Sequence, residues 1–169
     1  FFFKQKTAYE IKECDWSSDV CSSDLTESMS VKHVNNGSCP RCLEIINKYP
    51  SFNEDLRKWF LALQALRPEA HTSCAGRGKD DQEAYFKQGT SRAHWGQSAH
   101  NYNLAIDVFK LSQAGAEWPI NWYQTVVVPS AEAAGLESAS KWTTFREWPH
   151  FQVKNWKSVV TAGKAKLVE

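Results

Sequence analysis

The sequence predicts an α+β fold, because helical and strand-like hydrophobic patterns are mixed along the chain without a repeated βαβ unit. Two observations carry this prediction: an amphipathic helical pattern in residues 51–67, and alternating strand patterns in residues 104–110 and 150–153. The chain has 169 residues, which is enough for one domain with a substantial core. Its 42% hydrophobic and 23% charged residues are ordinary for a globular protein.

The N-terminal segment differs from the rest of the chain. Residues 1–25, FFFKQKTAYEIKECDWSSDVCSSDL, have no helical or strand period and resemble a translated sequencing adapter. Met29 is the only methionine, which fits a native start at that position. We therefore predict that residues 1–28 are a non-native or disordered leader, and that residues 29–169 form a single domain.

Charge and hydropathy exclude two classes of protein. Residues 1–28 hold three of the 20 basic residues and six of the 19 acidic residues, so that the remainder has a net charge of +4. This charge is too small to indicate nucleic-acid binding. The longest apolar run is far shorter than a membrane span, and the start of the chain lacks the pattern of a secretory signal. We therefore predict no nucleic-acid partner and no membrane span.

The elements are predicted in chain order from caps, periods and helix breakers. Ser51 and Glu54 fit a capping box at the start of a helix that Pro68 ends. The apolar residues on one face of that helix are Leu56, Trp59, Phe60, Leu63 and Leu66. The other predicted elements are an extended stretch at 70–73, a helix at 80–88 closed by Gly89, a loop at 90–99, a strand at 104–110, a helix at 122–134 with a break at Pro129 and an end at Gly135, and a strand at 150–153. The predicted faces of the strand at 104–110 are Leu104, Ile106 and Val108 on one side and Ala105, Asp107 and Phe109 on the other.

Cys39 and Cys42 form a single Cys-x-x-Cys pair. Without a second pair, this motif cannot complete a tetrahedral zinc site unaided. The strand and helix that flank such a pair in thioredoxin-like redox proteins are not indicated. We therefore interpret the pair as free thiols or a local disulfide, and we assign no role to His33 or His71.

The first patch with the chemistry of a zinc hydrolase lies at residues 98–107. Such an enzyme needs three nitrogen or oxygen ligands, an open position for water and a nearby carboxylate. His100 and Asp107 are seven residues apart, and on one strand this odd separation would place them on opposite faces. They converge only if His100 precedes the strand and Asn101-Tyr102-Asn103 forms a turn. Without further information, the two residues could also be a buried hydrogen-bonded pair.

The second patch is Glu147-Trp148-Pro149-His150. Pro149 cannot lie inside a helix, which excludes the helical HExxH arrangement of many zinc peptidases. Instead, His150 opens a strand and Glu147 lies in the loop before it. A glutamate at this distance from a ligand can lie beside a metal without binding it, which is the place of a general base.

These patches resemble the zinc D-Ala-D-Ala carboxypeptidase and L-alanyl-D-glutamate endopeptidase family. The run GQSAHNYNLAID at 96–107 resembles the family motif S-x-H-x-x-G-x-A-x-D, and EWPHFQ at 147–152 is similar to its second motif. Asn103 stands where the family has Gly. Asn is the non-glycine residue that most readily adopts the left-handed conformation that the turn requires.

Two further segments extend the resemblance to about residues 51–154. Residues 73–77, SCAGR, followed by Gln82, are similar to the family's S-G-x-R-x…Q region. Gly135-Leu136 ahead of residues 142–145, WTTF, matches its G-L…W-x-x-F segment. All four segments occur in the family's order.

The resemblance implies a small antiparallel sheet with flanking helices, as in Hedgehog and D-Ala-D-Ala peptidases. It implies that His100, Asp107 and His150 bind Zn²⁺ and that Glu147 is the catalytic base. It also implies that Arg77 binds a substrate carboxylate or the developing oxyanion; a structural ion pair is the other interpretation of this arginine. The candidate substrate contacts are Arg77, Ser98, Gln82 and Trp148.

The implied function is that of a monomeric zinc metallopeptidase that hydrolyses peptidoglycan stem peptides. We expect an L-alanyl-D-glutamate endopeptidase of the phage endolysin type, made in the host cytoplasm without a signal peptide and acting at the cell wall after release. The alternatives are a D-Ala-D-Ala carboxypeptidase and a non-catalytic wall-binding module, against which Glu147 argues because a binder needs no base. Trp142 and Trp148 could line the substrate groove or pack in the core, and His94 could be a fourth ligand or a solvated loop residue.

Overall fold

The structure is a computed structural model that describes residues 39–168, so that the predicted leader at 1–28 and His33 lie outside the described residues. Its helices are α1 (Pro40–Asn47), α2 (Glu54–Leu66), α3 (Lys79–Lys87), α4 (Ile120–Trp122), α5 (Val128–Ala133) and α6 (Trp156–Thr161). Its strands are β1 (Ala70–Cys74), β2 (Ala105–Ser112), β3 (Gly115–Glu117), β4 (Leu136–Ser138) and β5 (His150–Val153). Short 3₁₀ turns occupy Ala99–Tyr102 and Ala139–Lys141, and a π-helical turn at Tyr123–Val127 joins α4 to α5.

The five strands form one antiparallel sheet in the order β1-β2-β5-β4, and β3 forms a hairpin with the far end of β2. The helices flank this sheet, which confirms the predicted α+β fold with a small antiparallel sheet. None of the described helices is long and apolar enough to cross a membrane. Two strands, β2 and β5, are central, and they carry the residues on which the predicted chemistry depends.

The N-cap of helix α2 lies two residues later than the sequence predicts. Asn53 is the N-cap, and its Oδ1 accepts hydrogen bonds from the N–H groups of Asp55 (3.0 Å) and Leu56 (3.1 Å). The predicted cap, Ser51, instead accepts a hydrogen bond from Asn103 Nδ2 at 2.6 Å. Both side chains can cap a helix, and the tertiary contact with Asn103 decides between them.

The buried face of α2 forms much of the main core. Four of its five predicted core residues are buried; the exception, Leu66, is 79% exposed because it lies in the last turn, next to the loop that leads to β1. The core also receives side chains from α1, α5, β2 and β5. Its largest fully buried side chains include Tyr123, Phe60, Phe151, Ile46, Leu56 and Ile106.

Strand β2 begins at Ala105, one residue after the predicted start. Leu104 packs with Ala105 in a second, smaller cluster against α6, and not with Ile106 and Val108 in the main core. The reason is local: the Leu104 N–H donates to the Ala99 carbonyl at 3.0 Å, which keeps Leu104 in the turn that precedes the strand. The face assignments of Ile106 and Val108 agree with the prediction.

Pro129 and Gly135 act as the sequence predicts. Pro129 lies in the first turn of α5, directly after the π-helical turn, because a residue without an N–H interrupts the regular hydrogen-bond ladder. Gly135 has φ of 79°, a conformation that ends the helix at little cost for a residue without Cβ. The segment then enters β4, on the edge of the sheet beside β5.

Candidate metal centre

A row of three side-chain positions crosses the sheet. Cys74 on β1 is opposite Asp107 on β2, and Asp107 is opposite His150 on β5. The Val108 N–H donates to the Pro149 carbonyl at 2.9 Å, which continues the pairing of β2 and β5 into the segment before His150. Sheet pairing therefore brings Asp107 and His150 together although they are 43 residues apart.

His100 reaches this row from the 3₁₀ turn at Ala99–Tyr102. The Oγ of Ser98 accepts a hydrogen bond from the His100 N–H at 3.3 Å, and the Asn101 side chain accepts one from the Ser98 N–H at 3.2 Å. Asn103 ends the turn with φ of 58°, in the left-handed region that was expected for it. The predicted turn is confirmed, and it places His100 on the same side of the sheet as Asp107.

The three predicted ligands form a nearly equilateral triangle of donor atoms. His100 Nε2 lies 3.2 Å from Asp107 Oδ1 and 3.1 Å from His150 Nδ1, and His150 Nδ1 lies 3.2 Å from Asp107 Oδ1. A tetrahedral ion with bonds of about 2.0–2.1 Å would hold its donors about 3.3–3.4 Å apart. The triangle therefore fits a zinc-sized ion above its centre, with one tetrahedral position left over.

Each imidazole donates one ring N–H to a fixed acceptor, so that the lone pair of its other ring nitrogen points into the triangle. The Ala75 carbonyl lies 2.5 Å from His100 Nδ1, and because a carbonyl only accepts, this nitrogen carries the proton. Gln152 Oε1 lies 3.0 Å from His150 Nε2 and accepts from it in the same way. His100 therefore presents Nε2 to the triangle, and His150 presents Nδ1. Histidines that bind metals are commonly oriented by such an acceptor on their other ring nitrogen.

The charges of the triangle favour a cation at its centre. Burial, the largest effect, lowers the pKa of His100, but the negative charges of Asp107 and Cys74 outweigh it and raise that pKa to about 10. Burial also raises the pKa of Asp107, but the charge and hydrogen bonds of His100 and the hydrogen bond of His150 hold it well below its usual range. Either a proton on His100 or a bound metal ion would therefore compensate the negative charges of Asp107 and Cys74.

Glu147 lies in the loop before β5, three residues from His150, and its carboxyl group senses the charges of all three triangle residues. Its backbone N–H donates to the Ala139 carbonyl at 3.2 Å, which ties the loop before β5 to the 3₁₀ turn after β4. Burial raises the pKa of its carboxyl group; His150 opposes this effect, and the negative charge of Asp107 adds to it. A half-buried carboxylate that senses these ligand charges is suited to accept a proton near the ion.

Arg77 lies behind Asp107. Its Nη2 is 3.5 Å from Asp107 Oδ2, and its Nη1 donates to Gln82 Oε1 at 3.3 Å. The guanidinium also lies over the Tyr85 ring, 4.6 Å from the centroid. Because the Arg77 residue is only 9% exposed, its clearest role in this structure is to hold Asp107, and its contact with substrate stays a prediction.

Gln82 supports Arg77 from the interior. It is fully buried, accepts a second hydrogen bond from Asn101 Nδ2 at 3.1 Å, and donates to Ser91 Oγ at 2.9 Å and to the Ala93 carbonyl at 2.6 Å. These bonds use both polar atoms of its amide. A contact of Gln82 with substrate stays a prediction that this arrangement does not favour.

The other predicted site residues lie at different distances from the triangle. Ser98 caps the turn that carries His100. Trp148 is half-buried and packs against the main core, whereas the Trp142 ring lies 5.4 Å from the His150 ring, centroid to centroid. His94 is exposed and pairs with Glu83 at 3.2 Å, which agrees with a loop histidine.

Cys74 and Gln152 also contact the site, and neither was predicted as a site residue. Cys74 Sγ lies 3.4 Å from Arg77 Nη2 and 3.8 Å from His100 Nδ1. That nitrogen is already bonded to the Ala75 carbonyl, so His150 is the better third ligand. Gln152 follows His150 by two residues, and the strand period places both on one face; this was the signal available for it.

A pocket of about 400 Å³ opens along the edge strand β4. Trp142 is one of its walls, and it is the only lining residue whose ring is also a neighbour of His150; none of the three triangle residues lines the pocket. The other residues that line it are Glu132, Leu136, Glu137, Ser138, Lys141 and Lys154. Both signs of charge are present, and the Trp142 Nε1–H donates to Glu137 Oε1 at 2.7 Å.

Comparison with known proteins agrees with the motifs and the fold. A family model described as D-alanyl-D-alanine carboxypeptidase matches residues 91–153, a range that contains the whole triangle and Glu147. The chain is also similar to the crystal structure of the L-Ala D-Glu endopeptidase ChiX of Serratia marcescens, with 19% identity, a TM-score of 0.59, and coverage of 78% of this chain and 98% of that chain. The structural likeness shows a shared fold, and the expected resemblance to the carboxypeptidase family is confirmed over residues 91–153.

Proposed function

We propose that this chain, which shares its fold and its motif-bearing segment with the D-alanyl-D-alanine carboxypeptidase and L-alanyl-D-glutamate endopeptidase family, is a zinc peptidase that cleaves peptidoglycan stem peptides. The observation that carries the proposal is the triangle of His100, Asp107 and His150, whose donor atoms lie 3.1–3.2 Å apart. Three N/O donors with one open position are the arrangement of catalytic rather than structural zinc.

In the proposed mechanism, separate residues bind the metal, transfer the proton and orient the ligands. His100, Asp107 and His150 hold the ion, and when bound, Zn²⁺ would supply a Lewis acid that activates water and polarises the scissile carbonyl. Glu147 takes the proton of the attacking water on its carboxylate and transfers it to the leaving amine. Arg77 keeps Asp107 oriented, and its guanidinium could also meet a carboxylate of the stem peptide.

Replacing Glu147 tests the catalytic step. Glu147→Gln removes the proton acceptor and keeps the shape of the side chain, so we expect lysis of purified peptidoglycan to fall by about 10²–10⁴-fold. Zinc content measured by elemental analysis should stay equal to that of the wild type, because Glu147 is not a ligand. Glu44→Gln on the exposed face of α1 is the matched control and should lyse normally. Undiminished lysis by Glu147→Gln would remove Glu147 from the mechanism.

The bond that is cut has two candidates. We favour cleavage between L-Ala and D-Glu, which is the activity named for the structural relative from Serratia marcescens. Removal of terminal D-Ala is the second candidate, because the matching family model carries the description of a D-alanyl-D-alanine carboxypeptidase. The phage-endolysin type of enzyme, made in the host cytoplasm and released to the wall, remains part of the first proposal.

Mass spectrometry of the fragments released from purified sacculi separates these candidates. An endopeptidase of the proposed type creates peptides with a new D-Glu N-terminus. A carboxypeptidase releases free D-Ala and leaves the rest of the stem attached to the glycan. A chain that binds sacculi and releases neither product would be the non-catalytic module, and this result would contradict the proposed function.

A further inference from the structure

A second cluster of metal-binding side chains lies where α1 meets β1. Cys39 is the N-cap of α1, Cys42 lies in its first turn, and His71 is the second residue of β1. The three donor atoms lie within 4.8 Å of one another, and Cys42 Sγ is 3.4 Å from His71 Nδ1. All three residues are buried, at 7%, 1% and 8% exposure. None of them takes part in the mechanism proposed above.

We propose that Cys39, Cys42 and His71 form a second metal site, which binds a thiophilic divalent cation such as Zn²⁺ and fastens α1 to the sheet. A tetrahedral zinc ion with bonds of about 2.3 Å to sulfur and about 2.0 Å to nitrogen places sulfur and nitrogen donors about 3.5 Å apart. The observed separation of Cys42 Sγ and His71 Nδ1 is close to that value. Two cysteines separated by two residues are the usual half of a structural zinc site, and the histidine from β1 adds a third of the four donors that such a site holds.

The surroundings of the two sulfur atoms suit thiolates. The buried amide of Gln64 donates from Nε2 to Cys42 Sγ at 3.4 Å, while its Oε1 accepts from the Cys39 N–H at 2.9 Å. A hydrogen bond with Cys42, helped by His71, lowers the pKa of Cys39. A metal ion binds cysteine as the thiolate, so it would displace the thiol protons of the pair.

A disulfide explains less of this arrangement. The structure has both cysteines as free thiols. A disulfide would leave His71 without a role at the sulfur atoms, and the Gln64 amide would then face a weak acceptor. A redox-active pair also needs an accessible first sulfur, and Cys39 is buried.

The test uses the full chain, reduced and then loaded with Zn²⁺ or Co²⁺. We expect two equivalents of zinc in the wild type and one in both Cys39→Ser/Cys42→Ser and His71→Ala; Asp107→Asn should lose the other equivalent. Cobalt should give thiolate-to-metal charge-transfer absorption that persists in Asp107→Asn and in the control Cys14→Ser/Cys21→Ser, but not in Cys39→Ser/Cys42→Ser. A single equivalent that depends only on His100, Asp107 and His150, or the lack of thiolate absorption in the wild type, would overturn the proposal.

A measurement on the wild type avoids the risk that the cysteine variants do not fold. In the zinc-loaded chain, Cys39 and Cys42 should resist alkylation, as followed by peptide mapping, and should become labelled at least tenfold faster after a chelator is added. A labelling rate that does not change on chelation, or a disulfide between the two cysteines in the reduced and zinc-loaded protein, would contradict the site. Because peptidoglycan lysis is not the readout, failure here is distinguishable from failure of the proposed peptidase.

Discussion

At the scale of single residues, the candidate metal centre depends on which nitrogen of each histidine faces inwards. The Ala75 carbonyl and Gln152 Oε1 make this choice, in opposite senses for the two rings. His100 is oriented by a backbone group that substitution of Ala75 would not remove. His150 is oriented by a side chain, so its contribution can be tested directly.

Gln152 provides that test. Gln152→Leu keeps most of the side-chain volume but removes the acceptor for His150 Nε2–H, so we expect zinc affinity to fall by about 10–100-fold. Competition with a chelating dye would measure the change. Gln152→Glu retains an acceptor and should keep affinity much closer to that of the wild type. Equal affinities for the Leu and Glu variants would show that the acceptor does not matter.

At the scale of elements, three loops approach one another closely behind the triangle. The Arg77 N–H donates to the His100 carbonyl at 3.0 Å, and the Asn53 N–H donates to the Asn103 carbonyl at 3.0 Å. Gly76 lies in the middle of this contact. A Cβ at this position would lie 2.0 Å from Asn103 Oδ1 and 2.5 Å from Tyr49 Cδ2.

Gly76→Ala should therefore displace the turn that carries His100. We expect a loss of about 1–3 kcal/mol in the free energy of unfolding, measured with denaturant, and weaker zinc binding by the folded protein. Gly78→Ala is the matched control, because a Cβ there would meet only the flexible end of Tyr49, at 3.2 Å from its hydroxyl oxygen. If both variants had wild-type stability, the close approach at Gly76 would have no energetic importance.

Elements whose signals are local were predictable from the sequence. The turn at Asn103 and the helix ends at Pro68 and Gly135 depend on the conformations of single residues, and all three were predicted. The cap of α2 was assigned to Ser51 instead of Asn53, because the deciding contact comes from Asn103, about fifty residues along the chain. Capping residues compete locally, and distant partners decide among them.

The same reasoning applies to the sites. The convergence of His100 and Asp107 was predicted on the condition that residues 101–103 form a turn, and Asn103 provided a local signal for that turn. The cluster of Cys39, Cys42 and His71 could not be predicted in this way, because nothing in the pattern indicates that the strand beginning at Ala70 lies beside α1. Likewise, Trp142 and Trp148 could not be ranked as groove residues until the sheet showed which of them borders His150.

At the scale of the whole molecule, the triangle joins β2, β5 and the 3₁₀ turn, so its charge state contributes to the stability of the fold. The pKa of His100 is raised in the folded chain to about 10, from an ordinary value of 6.5. The contribution of protonated His100 to the free energy of unfolding is fully present below pH 6.5, and it is lost as the pH rises through about 10. A bound cation would take over the role of the proton, because both neutralise the same negative charges.

We therefore expect the melting temperature of chelator-treated protein to fall between pH 7 and pH 10, and saturating zinc to remove most of this fall. Differential scanning calorimetry at several pH values, with and without zinc, measures both curves. His94→Ala, which changes an exposed histidine, should leave the two curves unchanged. A chelator-treated protein that is more stable at pH 10 than at pH 7 would contradict the assigned sign.

The cross-strand pairing of Asp107 and His150 also limits where the chain can accept insertions and deletions. A residue inserted within β2 or β5 would rotate one donor to the reverse side of the sheet, since neighbouring positions on a strand point in opposite directions. An insertion in the short connection between β2 and β3 would leave both donors in place. Natural and engineered variation in loop length should therefore concentrate at such peripheral connections, while the spacing from Glu147 to Gln152 stays constant.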